Sequence, residues 1–472
     1  MKKWFSRIVF ICLALVVSVT GFVSYYTYHN DSISASQVIK HVDVGGNDVK
    51  VEVYTRGNGD KYNAPVFAIS DLLNKAINYK KMDEHKDEEV NIDAAIYRVE
   101  TDTACYYKPG TRNYGKTTRL TGKNYTDDCE RVAYTFVKAA LYGINVRLIY
   151  HRDKNLYGRD TYEWFQTFMD EKCIFDKTKT VADFLEVRKC EWSLEHLGAN
   201  QMHNKQVMVN KYIDHDGVVQ RNAVFSMTSN VDRYDGNTEL PIAIKDWVNT
   251  GYIISNHDEI YERNERYFEI TFENYQNRYE FVDDVLQAHE NNLLNYKDDA
   301  FEVYFSPLPQ NYSTAYDVEN NPYAYYVEKL VESTGQIKCY INDYHVSNDA
   351  FTQLFFERLN LAFTQNTTQG NDFGYIQGLG FESLSDPALE PIKEIASVLK
   401  IQKMTHCKDM MFYFADEDLY VTITGSANKK LGEFLAKSNE IIVFKETGEH
   451  HEIYDTFLKA FNEVETDVAI QT

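Results

Sequence analysis

The tripeptide His-x-Lys occurs twice in the chain, in the stretches HNKQVMV at 203–209 and HCKDMMF at 406–412. A small polar cluster follows each copy, Thr228-Ser229-Asn230 after the first and Gly425-Ser426-Ala427-Asn428 after the second. A glutamate comes next in both cases, Glu239 and then Glu440. The two copies are separated by 203 residues at the histidines, 198 at the asparagines and 201 at the glutamates. This spacing predicts an internal duplication with a unit of about 200 residues, which is too long for a solenoid repeat.

We expect each His-x-Lys to lie on a β-strand. Alternation along a strand directs His203 and Lys205 to one face, and likewise His406 and Lys408. The intervening Cys407 then points away from the site, which favours a core residue or a disulfide partner over a catalyst.

The repeated residue types suit phosphodiester chemistry. Two facing histidines supply a nucleophile and a general acid, and two lysines with two asparagines offset the charge on a pentacovalent phosphorus. Hydroxyl and amide groups at strand ends donate hydrogen bonds to phosphate oxygens, and a glycine permits close approach of a backbone. A glutamate can hold a ring nitrogen of each histidine and fix its tautomer. The predicted catalytic residues are His203, Lys205, Asn230, Glu239, His406, Lys408, Ser426, Asn428 and Glu440, and Thr228 and Gly425 are predicted to contact substrate. We expect no cofactor and no metal.

Composition restricts the class of protein. The chain has 472 residues, 44% hydrophobic, which is enough for two or three domains with full cores. Its formal net charge of −22 repels phosphate backbones and anionic membranes at long range. The charge therefore argues against tight nonspecific nucleic-acid binding, although a local cationic pocket for one phosphate is compatible with it.

The first 30 residues have the pattern of a targeting segment. Lys2, Lys3 and Arg7 precede an uncharged run from 8 to 28, long enough to cross a bilayer with the basic end cytoplasmic. We expect an uncleaved signal anchor, with a cleaved signal peptide as the alternative. Both place the rest of the chain outside the cytoplasm, either tethered to the membrane or secreted. Residues 31–60 are polar and predict a stalk or a first strand.

Cysteine usage agrees with export. Cys105 with Cys129, and Cys173 with Cys190, would close short local loops as disulfides in an oxidising compartment. Reduced, partly buried thiols are the alternative.

The predicted elements divide the chain into two similar α/β halves at 61–280 and 281–472. The first contains a strand at 90–99, a helix at 131–141 followed by a strand, and an insertion at about 151–202. Helices are predicted at 258–274, 281–294, 325–331 and 391–401, and a strand at 336–341. Both halves also end alike, with His257-Asp258-Glu259-Ile260-Tyr261 and His451-Glu452-Ile453-Tyr454 each beginning a helix.

At this point the chain resembles the phospholipase D superfamily, whose paired motif is His-x-Lys-x4-Asp followed by Gly-Ser-x-Asn. The resemblance covers roughly residues 60–470. It implies two tandem phospholipase D-like domains, each a mixed β-sheet flanked by helices, related by a pseudo-twofold axis with one active site between them. It also implies a two-step reaction through a phosphohistidine, with family precedent favouring His203 as nucleophile and His406 as acid.

The chain departs from the family pattern at three positions. Asn210 and Tyr413 stand where the motif has aspartate, and Met227 replaces the first glycine. An active, membrane-tethered phospholipase or phosphatidyltransferase is the first expectation, acting on phospholipid. An extracytoplasmic nuclease is the alternative, and an inactive binding protein on the same fold is a third. The oligomeric state is not readable from the sequence.

Overall fold

The fold is taken from a computed structural model that describes residues 38–56, 64–99, 128–152, 161–192, 201–231, 248–309, 314–379, 386–402 and 405–464. The predicted targeting segment at 1–30, Cys105, the side chain of Cys129 and Glu239 lie outside these ranges. Within them, no helix combines the length and the apolar character needed to span a membrane.

Two mixed eight-stranded sheets form the framework. The first has the order β1-β2-β8-β7-β6-β3-β4-β5, and the second β13-β12-β11-β14-β15-β16-β10-β9. The strands of the first sheet are β1 (Val38–Val44), β2 (Asn47–Arg56), β3 (Asn91–Arg98), β4 (Asn145–Arg152), β5 (Leu185–Lys189), β6 (Lys205–Ile213), β7 (Val219–Met227) and β8 (Asn249–Ser255). Those of the second are β9 (Tyr296–Lys297), β10 (Phe301–Ser306), β11 (Ile337–His345), β12 (Asp372–Leu379), β13 (Val398–Ile401), β14 (Lys408–Phe414), β15 (Leu419–Gly425) and β16 (Asn439–Thr447).

Ten α-helices lie in the described part of the chain. They are α1 (Ala64–Lys81), α2 (Asp128–Leu141), α3 (Thr161–Gln166), α4 (Asp258–Glu273), α5 (Arg278–Glu290), α6 (Pro322–Glu332), α7 (Ala350–Gln365), α8 (Glu390–Lys393), α9 (Leu431–Leu435) and α10 (Glu452–Asn462). Short 3-10 turns occur at Val181–Asp183 and Pro387–Leu389.

The predicted duplication is confirmed by the strand order. When the strand order of the second sheet is read in reverse, each of its strands corresponds to one in the first sheet: β1 to β9, β2 to β10, β3 to β11 and β6 to β14. The registers agree, since Ile96 faces Lys205 in the first sheet and Asp343 faces Lys408 in the second. The two endings that begin with His257 and His451 precede α4 and α10, which follow the equivalent strands β8 and β16. The chain is therefore an α/β protein of two tandem halves.

The hydrophobic core has three parts that explain how the halves join. One lies in the first half beneath α1 and α2, and another in the second half beneath α6 and α7. The third lies between the sheets and takes residues from both, with α4, α5 and α10 contributing Phe268, Phe281 and Phe457. Since burial of large apolar side chains is the main favourable term in folding, this shared core fixes the two halves to one another.

Most of the predicted elements are present. The strand at 90–99 is β3, and the helices at 131–141, 258–274, 281–294 and 325–331 are α2, α4, α5 and α6. The strand at 336–341 is β11, and residues 38–56 of the predicted stalk form β1 and β2. The helix at 391–401 is wrong, because α8 ends at Lys393 and the chain continues as β13. The predicted insertion at 151–202 also contains β5, the edge strand of the first sheet.

The disulfide between Cys173 and Cys190 is wrong. Both are free, buried thiols. Cys173 donates to the carbonyl oxygen of Ala140 at 3.6 Å, whereas Cys190 packs in the core between the sheets. Cys407 is also a free thiol in that core, so its expected role as a core residue is confirmed.

A second repeated motif, Glu-Val-Tyr, lies on equivalent strands and was not predicted. In β2 the hydroxyl of Tyr54 donates to Glu52 at 2.8 Å, and in β10 Tyr304 donates to Glu302 at 2.6 Å. All four side chains are buried. The motif was missed because its copies are 250 residues apart in the sequence, unlike the His-x-Lys copies.

Candidate active site

The backbone of each histidine is hydrogen-bonded to the other half of the chain. The His203 amide donates to the carbonyl of Ser438 at 2.8 Å, and the His406 amide donates to the carbonyl of Val248 at 2.8 Å. Isolated bridges pair Met202 with Ser438 and Val248 with Thr405. Because Ser438 and Val248 directly precede the equivalent strands β16 and β8, the two contacts are pseudo-symmetric. The histidines therefore lie at the junction of the halves, just before β6 and β14.

His203 is held by side chains of the second half. Its Nδ1 lies 2.9 Å from Asn439 Oδ1 and 3.3 Å from Glu433 Oε2. Both oxygens accept, since Asn439 uses its own Nδ2 to donate to Glu433, so Nδ1 carries the hydrogen. Burial and then Lys205 lower the pKa of His203 well below its usual value, more than Glu433 raises it. The ring is therefore neutral at pH 7, with its lone pair on Nε2.

His406 is held by the main chain of the first half. Its Nδ1 lies 2.6 Å from the carbonyl oxygen of Thr228 and 3.0 Å from Lys408 Nζ. The carbonyl can only accept and is the nearer of the two, and Lys408 Nζ donates to the same carbonyl, so we assign the hydrogen to Nδ1 here too. The ring stacks on Tyr344 with centroids 4.0 Å apart. Both histidines therefore have Nε2 as the nitrogen left to act on a substrate, but their supports differ in kind.

The two lysines are buried in the same site. Lys205 Nζ donates to the His203 carbonyl at 2.6 Å and Lys408 Nζ to the His406 carbonyl at 3.0 Å. Burial lowers the pKa of Lys205 well below its usual value, and repulsion by Lys408 lowers it further. Both lysines therefore contact the backbone of the histidine two residues before them, and their shared role toward a substrate stays a prediction.

A tyrosine accompanies each histidine–lysine pair and was missed in the sequence. Tyr97 at the end of β3 lies edge-on to His203, with centroids 5.1 Å apart and Lys205 Nζ 5.3 Å from its ring. Tyr344 occupies the equivalent position in β11, with Lys408 Nζ 4.9 Å from its ring. Such cation–π contacts favour the charged form of lysine. The two tyrosines occupy the same position on the strand next to each motif, and this repeated position is the signal that could have located them in the sequence.

Glu433, the middle residue of α9, is the main carboxylate of the site. It is fully buried and accepts from Lys437 at 2.6 Å, from Asn428 at 3.0 Å and from Asn439 at 3.1 Å. Burial alone would raise its pKa, but Lys437, His203 and Lys430 together lower it well below the usual value. Glu433 therefore stays ionised and fixes three groups around His203.

The predicted hydroxyls bind the protein's own backbone. Thr228 Oγ1 accepts from the Thr250 amide at 3.0 Å, and Ser426 Oγ accepts from the Glu440 amide at 3.1 Å. These equivalent contacts tie each cluster to the first residues of the next strand. Ser426 Oγ also donates to Asn439 Oδ1 at 3.1 Å, one bond from His203.

Gly425 is required by strand packing. Its φ is +131°, and a Cβ there would collide with the carbonyl oxygen of Glu440. Its partner across the strands is Ile441, whereas in the first half Met227 faces Gly251. In the first half the glycine is therefore at position 251 on β8, opposite Met227 of β7. In the second half Gly425 of β15 allows the backbone of β16 to approach closely.

The prediction that Glu440 holds a ring nitrogen of a histidine is wrong. Glu440 bonds Tyr252 of the first half at 2.6 Å instead of holding a histidine, and burial raises its pKa to about 7. Thr250 holds the equivalent position in β8, where its hydroxyl donates to Asp409 of the second half at 2.8 Å. Glu239 lies outside the described residues.

The remaining predicted positions are buried near the junction. Asn428 donates to Glu433, as above, and Asn230 is 2% exposed, with no hydrogen-bond partner for its Oδ1 among the described residues. Asn210, which replaces the motif aspartate, accepts from the Asn91 amide at 2.9 Å. Tyr413 stacks on Tyr420 with centroids 4.6 Å apart. Both replacements therefore act in strand packing, away from the histidines.

The fold and site together define a two-half α/β protein with paired histidines and lysines at the junction of its halves. No protein-family model matches the chain, and no curated protein matches it in sequence. Solved structures do match it. A phosphatidylserine synthase from Haemophilus influenzae matches over 90% of this chain and 87% of its own, at 7% identity and a TM-score of 0.48.

Two further structures have lower TM-scores. A polyphosphate kinase from Porphyromonas gingivalis matches over 87% of this chain at 10% identity and a TM-score of 0.45, and this chain spans only 50% of that kinase. The phospholipase D family member Nuc from Salmonella typhimurium matches over 35% of this chain and 92% of its own, at 12% identity and a TM-score of 0.24.

Proposed function

We propose that the chain is a phosphodiester hydrolase or transferase that works through a phosphohistidine. The observation that carries this proposal is the junction itself, where two histidines with Nδ1 fixed as donor and two buried lysines share one site. Groups held in place before reaction stabilise developing charge without reorganisation.

His203 is the nucleophile in this proposal. Its ring is neutral, and Glu433 and Asn439 hold the Nδ1 hydrogen, so the Nε2 lone pair attacks phosphorus. The positive charge that develops on the ring is offset by the Glu433 carboxylate at 3.3 Å. As the phosphorus–oxygen bond to the leaving group breaks, the imidazolium of His406 gives the leaving oxygen its Nε2 proton.

The second step reverses these roles. Neutral His406 takes a proton from water or an alcohol, whose oxygen attacks phosphorus as the phosphorus–nitrogen bond to His203 breaks. Lys205 and Lys408 offset the added negative charge in both steps. Hydrolysis results when water is the acceptor, and group transfer when an alcohol is.

Phospholipid is the substrate that we propose first. The support is the sequence of residues 1–30, which predicts a tether that would hold an exported site near lipid head groups. The second candidate is a nucleic acid, as in a nuclease outside the cytoplasm, and the observation that favours it is the excess of buried cations near His203, namely Lys205, Lys408 and Lys437.

The test uses the chain with EDTA present, on phospholipid vesicles and on single-stranded oligonucleotides. His203→Ala and His406→Ala should each lose at least about 1000-fold in kcat, while His450→Ala, an exposed control, keeps wild-type activity. Full activity in both site variants would overturn the mechanism. Turnover of oligonucleotide but not lipid would favour the second candidate, and a folded protein silent on both would indicate a binding role.

A chromogenic diester separates the two histidines. The 4-nitrophenolate leaving group departs without a proton, so His406→Ala should still release a burst of it from bis(4-nitrophenyl) phosphate and accumulate phosphohistidine. His203→Ala should show neither. A burst in His203→Ala with none in His406→Ala would reverse the assigned roles.

A further inference from the structure

The cations near His203 exceed what one phosphodiester needs. A phosphodiester carries one negative charge, which Lys205 and Lys408 already offset. Lys437 and Lys430 are additional, and Glu433 is the carboxylate they share, at 2.6 Å and 3.9 Å. Glu433 also serves His203. A single buried carboxylate therefore faces two ammonium groups.

Burial makes this excess costly in the absence of an anion. The side chain of Lys437 is 3% exposed and that of Lys430 is 13% exposed. Burial lowers the pKa of Lys430 more than Glu433 raises it, while Lys437 lowers it further and Asp349 raises it. Burying a charge without full pairing is unfavourable, so a second anion bound here would be stabilised.

The position of these lysines links them to the reacting groups. Lys437 Nζ and His203 Nδ1 contact the two oxygens of the same carboxylate, at 2.6 Å from Glu433 Oε1 and 3.3 Å from Glu433 Oε2. Lys437 also lowers the pKa of His203. Lys430 is the more exposed of the two lysines. His345, beside Tyr344, faces the same lysines, and burial followed by Lys430 lowers its pKa to about 4.

We propose that Lys430 and Lys437 form a subsite for a second phosphate group of the substrate, next to the phosphodiester that reacts at His203. This subsite deepens the proposed function and rests on it for the identity of the reacting phosphate. The substrate class is a phosphodiester that carries another phosphate nearby, as the next nucleotide of a strand or a diphosphate linkage does.

A matched pair of chromogenic substrates tests the subsite. Thymidine 5′-(4-nitrophenyl phosphate) carries the reacting diester alone, and its 3′-phosphorylated counterpart adds the second phosphate. We expect kcat/KM of wild type to be at least about tenfold higher for the second compound, since charge-assisted hydrogen bonds are among the strong ones. Lys430→Gln and Lys437→Gln should reduce this ratio towards one, and Lys430→Arg should retain it.

The control is Lys459→Gln, which removes one positive charge from the exposed face of α10, where Lys459 is 68% exposed. It should keep the wild-type ratio. An equal ratio in wild type and in both glutamine variants would overturn the proposal, as would a ratio lowered equally by the control.

Binding of inorganic pyrophosphate separates the subsite from the reaction. Calorimetry on the full chain should show tighter binding of pyrophosphate than of inorganic phosphate, with the difference lost in Lys430→Gln. If no substrate is turned over but this difference is found, the proposed function fails and the subsite stands. If substrates are turned over and the two anions bind wild type and Lys430→Gln alike, the subsite fails alone. Stronger inhibition of the chromogenic reaction by pyrophosphate than by thymidine 3′,5′-bisphosphate would indicate a substrate with a diphosphate linkage. The reverse order would indicate a nucleic-acid strand.

Discussion

The two halves share a framework but support their histidines differently. His203 is fixed by the side chains of Glu433 and Asn439, whereas His406 is fixed by the carbonyl of Thr228 and the face of Tyr344. A carboxylate favours a ring that gains positive charge, and a carbonyl fixes the tautomer with less effect on charge. A symmetric fold can therefore give two equivalent histidines unequal chemistry.

The largest expected difference comes from changing the side chain of the residue that supports each histidine. Glu433→Gln should lower kcat by about 100-fold, because it removes the carboxylate that offsets charge on His203. Thr228→Ser keeps both the carbonyl and the hydroxyl, so it should cost less than about threefold. Steady-state kinetics with circular dichroism as a folding check measure both. Similar losses in the two variants would mean that the Glu433 carboxylate does not offset charge on His203.

The two halves place their glycine on different strands of the pair, and substitution of each glycine should change the free energy of unfolding by a different amount. Gly425→Ala should cost about 3 kcal/mol or more, because φ is +131° and the new Cβ meets the Glu440 carbonyl. Gly251→Ala should cost less, since its nearest contacts, Met227 Cβ and the Ser226 carbonyl, lie at 3.1 Å. Urea unfolding measures both.

A double variant sharpens that comparison. Met227→Gly with Gly251→Ala places the glycine where the second half has it, and the pair should cost at least about 1 kcal/mol less than the sum of the single changes. Simple additivity would show that the two positions do not compensate each other.

The equivalent positions Glu440 and Thr250 should differ in pH dependence. The pKa of Glu440 is raised to about 7 by burial, from an ordinary value of 4.5. Folding thus favours its neutral form, and this stabilisation is complete below pH 4.5 and is lost as pH rises through 7. Relative to Glu440→Gln, the wild type should lose roughly 3 kcal/mol of unfolding free energy between pH 4.5 and 8. Parallel pH profiles for the two proteins would show that Glu440 does not titrate with folding.

The smallest difference is expected at the paired tyrosines. Tyr344→Leu should lower kcat/KM about three- to tenfold, since it removes the stacked face under His406 and the contact with Lys408. Tyr97→Leu should have a smaller effect, because Tyr97 meets His203 only at its edge. Kinetics over a pH range measure both, and a larger effect for Tyr97 would reverse the comparison.

The duplication and the histidine–lysine pairs were predictable because they repeat at nearly constant spacing. Most long helices were predictable too, since their apolar residues recur at helical intervals. The predicted helix at 391–401 is longer than α8, because β13 follows α8 after only a brief turn. Local sequence patterns do not set such boundaries well.

The role of Glu433 was not predictable from the sequence, because the segments that lead to β8 and to β16 differ in length. From Asn230 to Asn249 at the start of β8 there are 19 residues, but from Asn428 to Asn439 at the start of β16 only 11. Matching Glu239 to Glu440 by equal offset therefore crosses a length difference between the halves. Glu433 acts through space on a histidine of the other half, and no spacing within one half reports such a contact.

The contacts that cross between the halves also determine when the site can first exist. Asn439, which holds His203, is 236 residues further along the chain. At a synthesis rate of about 5–20 residues per second, roughly 10–50 seconds pass between the appearance of the two. During that interval His203 lacks the groups that fix its tautomer and offset its charge. The groups that fix His203 are thus complete only after residue 439 has been made, so the geometry around this histidine depends on the later half of the chain.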